Sequence, residues 1–144
     1  MLQQLKERYE KYGEEARKVS REASPMGGLF GWGEDPRKHP CHMAFYEDVE
    51  RWMAQFMGSD PNGQQRREAA SWILTAAAGK EGDPAFWFLY AAHGLCKELV
   101  MTLDEETCTW LRDFYDDQYP RRNRLPVQKE VYKLLCKGAG KKAK

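Results

Sequence analysis

Apolar and weakly apolar residues recur at the start of the chain at alternating intervals of three and four: Leu2, Leu5, Tyr9, Tyr12, Ala16, Val19 and Ala23. That spacing holds one stripe of a helix to the same side for three heptads, and it predicts an amphipathic helix over residues 1–24. The stripe is thin. Ala16 and Ala23 bury little, and Gly13 inside the helix costs about 1 kcal/mol relative to alanine. Such a helix needs a surface to cover it, from its own chain or from another. The pattern then stops. Residues 25–42 read as a Gly/Pro-rich loop through Pro25, Gly27, Gly28, Gly31, Gly33, Pro36 and Pro40, with Phe30 and Trp32 as large aromatics to be pinned or presented.

Helical periodicity resumes over about Met43 to Met57, with Phe45, Val49, Trp52, Met53 and Phe56 on one face. Asp60-Pro61 predicts a cap and first-turn proline for a third helix carrying Ala69, Trp72, Ile73, Ala76 and Ala77, with Gly79 as its left-handed stop. Asp83-Pro84 repeats the device and opens a fourth helix over Ala85 to Cys96, so the short connection makes an antiparallel hairpin. That helix is apolar on nearly every side, which places it in the middle of a bundle. Its Gly94 would admit a close neighbour. Thr102 and Glu105 match a capping box for a fifth helix running to about Asp117. Tyr119-Pro120 ends that helix, and Pro126 starts a sixth that Gly138 stops. Residues 43–138 therefore form the bundle, and 139–144 form a basic tail. No strand and no internal repeat is legible. The fold expected is an all-α, single-domain bundle of about six helices.

Composition agrees. The 144 residues suit one domain, and 42% hydrophobic with 12% aromatic is enough to fill a core, so a wholly disordered chain is excluded. No apolar run approaches the length of a membrane span, and the charged start lacks the apolar stretch of a signal peptide. Cys41, Cys96, Cys108 and Cys136 are too sparse for a secreted disulfide scaffold, so reduced thiols and a cytoplasmic setting are expected.

Three groups of residues carry candidate chemistry. His39, Cys41 and His42 crowd together in sequence, while His93 and Cys96 share a helix face; between them they hold ligand types that a tetrahedral zinc accepts. Against this, no Cys-x-x-Cys clip is present, so the favoured expectation is no metal and no cofactor, with zinc as the exception to test. The second group emerges from the charge pattern. The formal net charge is only +1, yet Leu103 to Asp117 holds six acids against one arginine, and Tyr119 to Lys144 holds nine bases against one glutamate. Arg121, Arg122 and Arg124, with Lys141 and Lys142, form a basic patch suited to phosphate or to an acidic protein. Alternatively the arginines simply pair with Asp113, Asp116 or Asp117. The third group is the Leu2, Leu5, Tyr9 and Tyr12 face, which docks a partner unless it folds back onto its own bundle.

No phosphate loop, H-E-x-x-H or G-x-S-x-G occurs, and the adjacent acids on helices point apart, so enzymatic activity is not favoured. The function expected is a small non-enzymatic interaction module that docks a protein partner, or itself, through the first helix face and the basic patch. The alternative is a nucleic-acid-binding accessory protein using Arg121 to Arg124 and the lysine tail. A zinc-stabilised bundle or metal-dependent enzyme comes third. No membrane and no small-molecule substrate is evident.

Overall fold

The computed structural model describes residues 2–23, 40–80, 82–83 and 85–140, with 19–23, 40, 41 and 123 described by their backbone alone. In chain order the helices are α1 (Leu2–Ala23), α2 (Pro40–Gly58), α3 (Gly63–Thr75), α4 (Phe86–Ala91), α5 (Lys97–Val100), α6 (Glu105–Gln118) and α7 (Pro126–Gly138). Tighter 3-10 turns span Ala92–Cys96, joining α4 to α5, and Arg121–Asn123, ahead of α7. The α4-to-α5 stretch is one continuous helical run, so six helices build a single all-α chain with no strand among the described residues, as the hydrophobic pattern predicts. Phe30 and Trp32 of the Gly/Pro-rich loop lie outside the described residues.

Helix α2 opens at Pro40 and not Met43, so it takes in the last three residues of the expected 25–42 loop, and the caps of α3 and α6 lie further along the chain than expected. At α3 the cap is Asn62, not Asp60. The Asn62 side chain accepts from Gln65 N–H at 2.8 Å, and the Gln65 side chain accepts from Asn62 N–H at 2.9 Å. Asp60 has instead turned left-handed, at φ 56°, to close the end of α2. At α6 the cap is Asp104, which accepts from Thr107 N–H at 2.7 Å, and not Thr102. The Thr102 hydroxyl is already committed, donating to Leu99 O at 2.7 Å in the preceding turn. In both places a nearby polar residue met a backbone group left over from the previous helix, and the cap moved two residues on. Gly79 does take the left-handed conformation expected of it, at φ 75°.

The α4-to-α5 run crosses the middle of the bundle, touching α2, α3 and α7. Phe88, Leu89, Tyr90, Ala92, His93, Cys96, Leu99 and Val100 along it are all buried, which is why its sequence shows no polar face. Gly94 admits α7 closely, since a Cβ there would lie 3.2 Å from Val127 Cβ. Gly138 does the same where α7 meets α6, because a Cβ would overlap Cys108 Sγ. No helix is long and apolar enough to cross a membrane among the described residues.

Candidate functional site

The apolar face of α1 is already covered by its own chain. Leu5 and Ala16 are fully buried, Tyr9 is buried and Leu2 is half-buried. The Tyr9 ring meets Phe45 of α2 at 5.0 Å and Trp72 of α3 at 4.5 Å, both edge-on. Tyr12 meets Phe45 at 5.4 Å and its hydroxyl donates to Asp48 Oδ2 at 2.9 Å. Partial burial disfavours the Asp48 charge, but hydrogen bonds from Arg51 and Tyr12 outweigh it and hold that carboxyl below its usual range. The expectation that Leu2, Leu5, Tyr9 and Tyr12 present a docking face is therefore corrected. The stripe folds back onto Phe45 of α2 and Trp72 of α3, which bury its aromatic residues.

The histidine and cysteine cluster is divided between two aromatic environments. His42 is buried against Phe88 at 4.9 Å between ring centroids. His93 is fully buried among Tyr90, Tyr115 and Tyr119, and its Nδ1 shares a 2.6 Å hydrogen bond with the Tyr115 hydroxyl. Burial drives the His93 pKa down to about 3, so the ring is neutral, and it pushes the Cys96 thiol well up, so that thiol is inert. His39 and the Cys41 side chain lie outside the described residues. Among those described, no three His, Cys, Asp or Glu side chains converge as a ligand set.

The arginines separate by role. Arg124 is buried, its side chain 3% exposed, and it closes the end of α6: Nε donates to Tyr119 O and Nη2 to Tyr115 O, each at 3.0 Å. Its guanidinium also lies over the rings of Tyr132 at 4.4 Å and Tyr115 at 5.4 Å. A side chain spent on two helix-end carbonyls is not offered to an anion, which corrects its place in the basic patch. Arg121 is 74% exposed and reaches Asp116 at 3.5 Å and the Tyr132 hydroxyl at 3.1 Å, the pairing expected from its acidic neighbours. Arg122 is exposed with no ion pair among the described residues. Lys141 and Lys142 lie outside the described residues.

What the sequence reading did not single out is the outer face of α7. Lys129, Lys133 and Lys137 follow at intervals of four, all exposed and none ion-paired among the described residues. At about 1.5 Å of rise per residue they form a stripe about 12 Å long. The signal was available in their spacing, but the lysines were counted as charge and not placed on a face. Glu130 does not interrupt the stripe, because it turns aside to Lys97 of α5 at 2.6 Å. Packed alongside is α6, whose Asp113, Asp116 and Asp117 are also exposed. Comparison with family models, curated proteins and solved structures finds no match to this chain.

Proposed function

We propose that the protein is a non-enzymatic, cytoplasmic interaction module that docks an acidic protein surface through the outer face of α7. The observation that carries this reading is the run of exposed cations Lys129, Lys133 and Lys137 along α7, preceded by Arg122 in the turn that leads into it, none of them ion-paired among the described residues. Charges left without intramolecular partners are free to steer an oppositely charged partner and set its register. An acidic protein fits better than nucleic acid because the carboxylates of α6 lie beside the stripe. A continuous phosphate backbone would be repelled by them, whereas a protein surface can present its own cations there. The cytoplasmic setting rests on the free thiols of Cys96, Cys108 and Cys136.

The test is to titrate a labelled oligoglutamate peptide, single-stranded RNA and duplex DNA with the protein at several salt concentrations. The peptide is expected to bind most tightly, and the Lys129→Gln/Lys133→Gln/Lys137→Gln variant to lose that binding while its melting temperature stays the same. RNA or DNA binding more tightly than the peptide, with a steep salt dependence, would give the site to nucleic acid instead. If nothing binds at low salt, the stripe is only a solvated face.

A further inference from the structure

A second surface has a different chemistry. Between α1 and the C-terminal half of α3 runs a groove of about 570 Å³, a volume that suits a small-molecule ligand. Its floor includes Gly13 and Leu89, one wall is Trp72, and three cations reach it: Lys6 and Arg17 from α1, and Lys80 from beyond α3. We infer that this groove binds a small organic phosphate bearing a planar ring, of the size of a nucleoside monophosphate.

The argument starts from Arg17. A guanidinium has five donors, and none of those of Arg17 meets an acceptor at hydrogen-bond distance among the described residues. Its nearest carboxylate oxygens, on Glu14 and Asp83, are each 3.7 Å away. Nη1 is buried and has no hydrogen-bond partner among the described residues. Among the described residues Arg17 thus has only these two long ion pairs, and Lys6 and Lys80 have none, although Lys6 Nζ lies 5.9 Å from the Trp72 ring centroid. Two acids, Glu10 and Asp83, also line the groove, so the described lining residues carry three cations against two acids. One oxygen of Asp83 is already engaged by Ala85 N–H at 2.9 Å. A phosphate would give Arg17 the bidentate acceptor it lacks, and Lys80 would supply a second charge to it.

Gly13 supplies an independent observation. It sits inside a helix, where glycine is unfavourable, and no turn requires it. What its missing Cβ does is make room, since a Cβ there would lie 3.2 and 3.3 Å from the two terminal nitrogens of Arg17. The glycine thus lets the arginine lie flat across α1 with its fork at the groove, and helix stability is given up for that placement. The indole of Trp72 is half-buried and edge-packed on Tyr9, which fixes its plane, and the Lys6 ammonium over it is the group a stacking ring would displace toward the phosphate. A smaller cleft among the described residues, about 280 Å³ beside Met53, Met57 and Leu95, has no such set of cations, and Lys97 there is paired with Glu130.

The experiment is a calorimetric titration of the full chain with AMP at low salt, and separately with adenosine and inorganic phosphate. AMP is expected to bind at least about tenfold more tightly than either fragment, and Arg17→Gln or Lys80→Gln to weaken it about tenfold. Gly13→Ala is expected to raise the melting temperature while weakening AMP, a combination that a purely structural role for Gly13 does not produce. The Lys129→Gln/Lys133→Gln/Lys137→Gln variant is expected to bind AMP as before; loss of binding there would move the site to α7 and overturn the inference. So would AMP binding no tighter than phosphate alone, or binding indifferent to both Arg17 and Lys80.

Discussion

The two ends of the molecule are fastened by different physics. At the N-terminus, α1 is held by a stripe of apolar contacts, Leu5 and Ala16 fully buried and Tyr9 wedged edge-on between Phe45 and Trp72. At the C-terminus, the corner between α6 and α7 is held by directed hydrogen bonds within an aromatic setting. There Arg124 donates to Tyr119 O and Tyr115 O, Tyr119 donates to Leu74 O at 2.8 Å, and Gln128 Nε2 donates to Tyr90 O at 2.5 Å. The first kind of attachment is graded, because each methylene adds a little. The second is close to all-or-none, because a missing donor strands a buried carbonyl.

Substitutions separate the two, beginning with the largest effect. Leu5→Asp places a charge at a fully buried position and is expected to cost about 4 kcal/mol or more in denaturant unfolding. Leu5→Ala should cost about 3 kcal/mol, between this and nothing, as a graded attachment requires. At the other end, Arg124→Ala is expected to cost about 3 kcal/mol. Arg124→Lys should recover little of that, since one ammonium cannot reproduce the fork that spans two carbonyls. Full rescue by lysine would show that charge alone, and not the paired hydrogen bonds, holds the corner.

Acid sharpens the comparison further, because the C-terminal corner contains the buried His93. Its pKa is about 3 in the fold against about 6.5 when exposed, so below pH 6.5 the unfolded chain takes up a proton that the folded chain refuses. Stability should therefore fall as pH drops from about 6.5 toward 3, by up to about 1.4 kcal/mol per pH unit. Unfolding at pH 7, 6 and 5, compared with His93→Gln, isolates this slope. Equal slopes in the two proteins would mean that His93 is not the group responsible. The smallest effect belongs to Arg121→Gln. Its ion pair with Asp116 is exposed, and a change of about 0.5 kcal/mol or less is expected.

The same contrast governs what could be read from the sequence. The helices were legible because they are written in periodicity: the α1 stripe, the Phe45 to Phe56 face, and the proline that opens α7. The all-round apolar run from Ala85 correctly pointed to the middle of the bundle. Where the stripe of α1 would dock was not legible, since periodicity names a face without naming what covers it. Arg124 and Arg121 stand three apart in one basic run, yet one is buried and the other exposed. Only the position of the α6 carbonyls decides between them. The caps were read two residues early because the Thr102 hydroxyl is claimed by the preceding turn and the Asp60 backbone is taken up, left-handed, in closing α2. Of the described candidate site residues, Leu5, Tyr9 and Arg124 are buried by the chain itself while Arg121 and Arg122 stay exposed, and the lysine stripe of α7 emerged only once charges were placed on a helix face.

The 3-10 turn at Ala92–Cys96 has a consequence for the geometry of the whole bundle. Residues there advance about 120° each around the axis, against about 100° in an α-helix, so five of them rotate everything that follows by roughly a further 100°. The turn acts as a phase shifter. It delivers Leu99 and Val100 to the core at an azimuth that an uninterrupted α-helix would have given to other residues. One chain segment can thereby serve α2 and α3 with one set of side chains and α7 with another. A substitution that restored regular α geometry there would turn α5 away from its neighbours without touching a single residue of α5.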